Sequence, residues 1–384
     1  MSSFMEKTYG LKQSPFKQVV ALWEQLPTWV DREEEMKKWN KILDDSVATP
    51  DANFIVLIVG DYGMGKSLSL FKIIQEAQKR ERHFPVYMSF LAEQKPSKPG
   101  LDVLFRIFRE VDFSSFKIDE TQLEQINDID SEVYTIFRVI LFGDQETRKL
   151  ALSYMRGEIS GTESQLRTLG VIRKMNDVDL AVDYLIGILF LIKQSGFPNF
   201  LIAVDEFEYL FSLVPRSSQP IYLALLRRLF DLRSRIPKQL RDKTSNITLF
   251  LAISADGERR LREMQDTERT TGGPISPLRR RIAFNIITLV SLTQKASIEL
   301  IEKRLKLNRT TGKFEDNPLI PFTKEFAIFI HQISDGRPET IIDRCDNVLD
   351  AGLERRLPLL TKEFAIEILQ ERGIDISTHS DVPA

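Results

Sequence analysis

Residues 60–67 read GDYGMGKS, a glycine-rich octet with the spacing G-x-x-x-x-G-K-S. Gly60, Gly63 and Gly65 would let the backbone curl so that successive N–H groups and the start of a following helix face an anion. Asp61, Tyr62, Met64 and Leu68 complete the loop around that anion. Lys66 would reach the β- and γ-phosphates of a nucleotide, and Ser67 would ligate Mg²⁺. A second constellation is FLIAVDEFEYL at 200–210, an apolar run that ends on Asp205, Glu206 and Glu208. Asp205 would hold Mg²⁺ through water, and Glu206 would polarise the water that attacks the γ-phosphate. Alone, such an acidic pair reads as a solvated turn; beside a phosphate loop it reads as the hydrolytic half of the same site. No N-K-x-D guanine-reading element occurs, so ATP is preferred to GTP.

Two further features carry less. Ser254 closes the apolar run ITLFLAIS, where its hydroxyl could feel a γ-phosphate or simply end a strand. Arg279, Arg280 and Arg281 in LRRRIAF could present charge to a neighbouring subunit's γ-phosphate, or form a solvated or nucleic-acid-facing run.

These residues need elements to position them. FIVLIV (54–59) is an apolar, β-branched run suited to a strand covered on both faces, FLIAV (200–204) has the same signature, ITLFLAI (247–253) supplies another apolar strand, and PVYMSF (85–90) reads as a further strand. SLSLFKIIQEAQKR follows the glycine loop as a helix, and YLALLRRLFDLRSRI (222–236) reads as another. Strands and helices therefore alternate, which predicts a parallel α/β sheet with helices on both faces. Two stretches depart from the alternation. Residues from about 101 to 195 are almost wholly helical in pattern, an insertion between the phosphate loop and the acidic strand. From about 290 to 384 the strands disappear and a small all-helical unit is expected. Two of its helices open with TKEFAI, at 323–328 and 361–366, where a threonine N-cap precedes an acid in the first turn; two copies do not make a solenoid. The domain reading is a nucleotide-binding core over 1–289, with an N-terminal arm at 1–50, and a helical domain over 290–384.

Composition bounds the remaining choices. The 384 residues include 53 basic and 55 acidic side chains for a net charge of −2, and 42% are apolar, which excludes a disordered polyelectrolyte. A single cysteine, Cys345, excludes an internal disulfide framework and favours a reducing, cytoplasmic setting. The most apolar later stretch, YLIGILFLI, falls short of the roughly 20 residues a membrane helix needs. His83, His331 and His379 have no ligand spacing, and Trp23, Trp29 and Trp39 read as packing anchors.

At this point the motifs resemble the AAA+ ATPases, within the branch of the origin-recognition initiators and the TniB- and ExeA-type ATPases. YGLKQSPF (9–16) is similar to the opening of the TniB/ExeA group, and WVDREEEMKKW (29–39) to the arginine-acid box of the initiators. The resemblance implies a P-loop AAA+ fold with a C-terminal helical lid. It makes GDYGMGKS and LIAVDEFE the Walker A and B motifs, Arg32 a contributor beside adenine, Ser254 a sensor, and Arg280 or Arg281 a finger. The stretch SDGRPETIID departs from the pattern: Glu339 occupies the place of the lid's usual sensor arginine, with Arg337 two residues earlier as a substitute. The winged-helix reader of the initiators is not found. YMRGEISGTESQLRTLGV (154–171), with LFLIKQSGFPNFLIAVDEFEYLF, resembles the P-loop ATPases of BREX phage-defence systems.

Three functions are compatible with these residues. The leading expectation is a homo-oligomeric ATPase with shared ATP sites that couples nucleotide state to DNA or to loading a partner there, with Arg227, Arg228, Arg233, Arg235, Lys238, Arg241, Lys243, Arg259, Arg260 and Arg262 tracking phosphates. The second is a signalling or scaffold ATPase whose helical insertion recruits a protein. A small-molecule kinase, the third, has no need of the Asp205-Glu206 pair or of a separate helical quarter. No membrane partner is expected.

Overall fold

A computed structural model of the chain describes residues 4–17, 22–49, 52–90, 98–159, 161–209, 218–270, 285–310, 314–374 and 376, with 264–270 in backbone only. Contacts divide it into two compact units, one of Met36–Val59 and Lys72–Ile287, the other of Met1–Glu35, Gly60–Phe71 and Thr288–Ala384.

The larger unit is built on a sheet. Its strands are β1 (Phe54–Val59), β2 (His83–Ser89), β3 (Asn199–Asp205), β4 (Asn246–Ile253) and the short β5 (Ile286–Thr288), in the order β2-β3-β4-β1-β5. β2, β3, β4 and β1 are parallel, and every position of β3 and β4 is buried, as their unbroken apolar runs require. Register fixes where chemistry can sit. Val59 pairs with Ile253, and Val204 with Leu251, so Asp205 ends β3 at the same edge where β1 and β4 end. That is the edge at which parallel sheets of this kind place their ligands.

The polar starts of two strands are not evident in the sequence. β2 begins at His83, not Pro85, and β3 at Asn199, because His83 Nδ1 lies 3.1 Å from Asn199 Oδ1 and Asn199 Nδ2 donates to Thr248 Oγ1 at 2.9 Å. This ladder gives partners to His83 Nδ1, the Asn199 amide and the Thr248 hydroxyl, all in buried side chains.

The helices of this unit are α1 (Glu33–Ala48) from Met36 on, α2 (Lys66–Lys79) from Lys72 on, α3 (Leu101–Glu110), α4 (Ser131–Phe142), α5 (Gln145–Met155), α6 (Glu163–Leu169), α7 (Val178–Gln194), α8 (Gln219–Phe230) and α9 (Ala255–Thr270). α3 to α7 lie between β2 and β3 in the chain. Their centre is α7, buried from Leu180 to Ile192 apart from the half-buried Asp183. Gly187 makes room for the Phe137 ring of α4, since a Cβ there would stand 2.3 Å from it. α8 stops at Phe230, short of the expected Ile236. The chain continues as a short 3-10 turn at Leu232–Ser234, and Arg235 beyond it pairs with Asp179 (2.5 Å) and Asp183 (3.5 Å) of α7.

In the smaller unit, α10 (Gln294–Leu307), α11 (Lys324–Ile333), α12 (Pro338–Glu354) and α13 (Lys362–Glu371) enclose a second core. The Thr323 and Thr361 hydroxyls accept the Phe326 and Phe364 N–H groups, so the repeated TKEFAI is a repeated helix cap. The N-terminal arm packs with these helices: Tyr9, Leu11 and Phe16 belong to the same core, and the Tyr9 hydroxyl donates to the Leu357 carbonyl.

Candidate functional site

The phosphate loop belongs to the smaller unit. It leaves β1 at Gly60 and enters α2 at Lys66, the strand-loop-helix context the motif needs. Gly63 and Gly65 have φ of +77° and +87°, a region that side chains rarely tolerate, so glycine is required at both. The space over Gly65 is open, with nothing within 4 Å of where a Cβ would stand. Lys66 Nζ donates to the carbonyls of Gly60 (2.9 Å) and Asp61 (3.1 Å), which holds its charge over the loop. Asp61 and Tyr62 form an exposed tip, Met64 is buried, and Ser67 and Leu68 are half-buried in the first turn of α2. Phe71, one turn on, stacks against Trp23 with ring centroids 4.2 Å apart, so this tryptophan anchors the arm to the helix.

Arg32 grips the loop from behind. Its guanidinium is 3% exposed and donates to the Met64 carbonyl (3.1 Å) and the Val290 carbonyl (2.6 Å), with Glu35 Oε1 at 3.4 Å. Burial pulls the Arg32 pKa down, and the neighbouring Glu35 opposes that pull. The structure thus places Arg32 on two backbone carbonyls and a carboxylate of its own chain. Glu339, in the first turn of α12, reaches the opposite side of the loop, where its N–H donates to the Gly63 carbonyl at 3.2 Å. Arg337 precedes that helix as an exposed cap residue with no side-chain cap bond.

The acidic constellation belongs to the larger unit. Asp205 is 4% exposed; its Oδ1 accepts the Glu206 N–H at 2.9 Å and its Oδ2 accepts the Tyr87 hydroxyl at 3.0 Å. Burial, then the Asp205 charge, pushes the Tyr87 pKa far up, so this hydroxyl is a permanent donor. Glu206 has φ of +53°, a left-handed conformation that turns its carboxylate off the strand direction. Ser89 Oγ donates to Glu206 Oε2 at 3.3 Å. The sequence motifs do not single out Tyr87 and Ser89. They stand two apart near the end of β2, in register with Ala203 and Asp205. Arg106 of α3 fixes that strand end by donating to the Ser89 carbonyl (2.9 Å) and lying 5.0 Å over the Phe90 ring.

Ser254 follows β4, and its hydroxyl accepts the Gly257 N–H at 3.0 Å, which makes it the cap of α9. Arg279, Arg280 and Arg281 lie outside the described residues. Many of the basic residues downstream of β3 are engaged by acids. Arg228 and Arg235 pair with Asp179, Arg259 and Arg260 with Asp256, and Arg262 with Glu258. Arg233 donates instead to the Arg241 carbonyl at 2.8 Å and the Thr244 hydroxyl at 2.7 Å.

The residues present fit a magnesium nucleotide. On the loop, backbone amides, a lysine and a helix start suit a polyphosphate, and the Ser67 hydroxyl is a hard oxygen donor of the kind Mg²⁺ takes; in the larger unit the buried Asp205 carboxylate is another such donor. Among the described residues no group of three or more His, Cys, Asp or Glu could hold a metal by itself, and no helix is long and apolar enough to cross a membrane.

Residues 115–242 match the family model of the BREX system ATP-binding protein BrxC/D, a third of the chain that includes most of the insertion, β3 and Asp205-Glu206. No curated protein matches the sequence. Among solved structures, the Aeropyrum pernix ORC2 protein in its ADPNP and ADP complexes is similar over 89% of this chain and 68% of its own, at 13% identity and a TM-score of 0.50. Drosophila ORC bound to DNA (10% identity, 94% of this chain, 68% of that chain, TM-score 0.48) and Cdc6p of Pyrobaculum aerophilum (12%, 97%, 71%, 0.47) also align. The fold is a P-loop α/β sheet with a helical C-terminal part, as in the ORC2 protein. Both resemblances read from the motifs, to initiator-type AAA+ ATPases and to BREX ATPases, meet a match among these proteins.

Proposed function

We propose that this chain binds ATP with Mg²⁺ on the loop 60–67, hydrolyses it, and uses the nucleotide state to govern assembly with a protein partner in a phage-defence system of the BREX type. One observation carries the reading: a phosphate loop with two obligatory left-handed glycines follows β1, while Asp205-Glu206 ends β3 at the same edge of the sheet. Lys66 would neutralise the transferring phosphate, and Ser67 and Asp205 would hold the metal, which supplies charge neutralisation at the phosphates. Glu206 would take the proton from the attacking water, aimed by its left-handed backbone and by Ser89. An arginine of the 279–281 run would complete the site of a neighbouring copy. The match to the BREX model across 115–242 supports the defence context and the helical insertion as the surface a partner reads.

A DNA-coupled reading draws on the basic stretch after β3. The internal pairing of Arg228, Arg235, Arg259, Arg260 and Arg262 weighs against it.

The test is ATP binding and turnover by the wild type and Glu206→Gln, with and without duplex or single-stranded DNA, alongside mass determination in each nucleotide state. Glu206→Gln is expected to bind ATP normally and to turn over about 10²–10⁴-fold more slowly, the range a positioned general base supplies. Normal hydrolysis by this variant overturns the assignment of the base. Turnover raised by DNA, with a steep salt dependence, would restore the DNA-coupled reading.

A further inference from the structure

Glu339 touches the phosphate loop from the helical quarter. Its N–H bonds to the Gly63 carbonyl, and its side chain lies across the Gly63 α-carbon. A Cβ built at Gly63 would stand 2.2 Å from Glu339 Oε2 and 2.5 Å from its Cβ. The carboxylate also feels the Lys66 charge, which opposes the upward push on its pKa from burial and from Asp343 one turn on. A negative group therefore already occupies the approach to a loop whose amides and lysine are arranged for anions. We propose that Glu339 is a displaceable acidic latch on the phosphate loop, which an incoming triphosphate must push aside, so that nucleotide affinity reflects competition between this carboxylate and the phosphates.

The inference rests on the nucleotide reading above and adds a regulation to it. Without phosphate, the attraction of Glu339 to Lys66 and the loop holds the first turn of α12 against Gly63. With phosphate, the same carboxylate faces several new negative charges at short range. The contact is then repulsive, and α12 is driven off the loop. The bond between α12 and Gly63 is thus broken by the ligand itself, which gives nucleotide binding a mechanical output in the helical quarter. A competing account is that Glu339 merely complements the helix dipole as a first-turn acid. That account predicts a slightly weaker helix on substitution and no dependence on the charge of the nucleotide.

Glu339→Gln separates the two, because it keeps the shape and the backbone bond and removes only the charge. Binding of fluorescent ATP and ADP analogues is measured for wild type, Glu339→Gln, Glu339→Ala and Lys66→Ala, at about 50 mM and about 500 mM salt. Glu339→Gln and Glu339→Ala are expected to tighten ATP binding by roughly tenfold and ADP binding by less, as like-charge repulsion at short range would give. The gain should shrink at high salt, where the Debye length falls from about 14 Å to about 4 Å. Tight wild-type binding left unchanged or weakened by both Glu339 substitutions overturns the latch alone. If wild type and Glu339→Gln both bind no ATP, as expected only of Lys66→Ala, the nucleotide reading beneath it falls.

Discussion

Replacing Arg32 by methionine tests how the phosphate loop is held. The guanidinium is almost wholly buried and serves two carbonyls, Met64 in the loop and Val290 in the chain that follows β5, with Glu35 beside it. Methionine fills a similar volume, so the packing loss is small and the electrostatic loss dominates. Glu35, its side chain 10% exposed, is left as an uncompensated charge, and breaking a buried pair this way costs about 3–5 kcal/mol. The 3.4 Å separation of the pair places the expected value near the low end, with the two deserted carbonyls adding to it. At about 2–4 °C per kcal/mol for a body of this size, the melting temperature should fall by roughly 10 °C. ATP and ADP binding should weaken together, since the loop loses its support. The double variant Arg32→Met/Glu35→Met should recover most of the stability, because no buried charge is then left alone. The alternative implied by the sequence resemblance, Arg32 beside adenine, predicts weaker nucleotide binding with an unchanged melting temperature. That pattern, or a single variant as stable as the wild type, would refute a supporting role for Arg32.

Tyr87→Phe removes the hydroxyl that donates to Asp205 Oδ2, so the Mg²⁺ concentration for half-maximal ATP hydrolysis should rise about tenfold with little change in ATP binding; an unaltered Mg²⁺ titration would show that Asp205 needs no such support. Asp183, in the insertion, has its pKa raised to about 6 by burial, with Asp130 and Asp179 adding and Arg235 opposing. The folded state therefore keeps a proton that the unfolded chain releases near pH 4, and stability is lost as pH rises through about 6. Asp183→Asn should flatten the stability profile between about pH 4 and 6 and add about 1–2 kcal/mol at pH 7, discounted for the group's partial exposure, as denaturant titrations across that range would show.

What is legible in the sequence is what local chemistry dictates. FIVLIV, FLIAV and ITLFLAI could be only buried strands, GDYGMGKS needs its flanking strand and helix, and the two threonine caps announce their helices. What is not legible depends on partners distant in the chain. His83 and Asn199 fall outside the apolar runs PVYMSF and FLIAV, and nothing near them shows that each bonds to the next across the sheet and on to Thr248. α8 ends at Phe230 with no breaker in its own sequence, and Arg235 beyond it pairs with Asp179 and Asp183, far upstream on α7. Tyr87 and Ser89 gain their roles only through the register of β2 on β3.

The basic residues show the same limit from the other side. A run of arginines after β3 invites a nucleic-acid reading, since sequence reveals charge but not what neutralises it. Asp179 pairs with both Arg228 and Arg235, and within α9 the acids Asp256, Glu258 and Glu263 each stand three or four residues from an arginine. That spacing is readable in advance as a self-paired helix face. Glu339 is the reverse case. Its departure from the family pattern is visible in the sequence, but only as the loss of an arginine. Its position over Gly63 gives the departure a physical content, because a carboxylate against a phosphate loop favours the empty loop where a cation would favour the filled one. The acid at that position therefore sets the sign of the coupling between the nucleotide and α12, as repulsion in place of attraction.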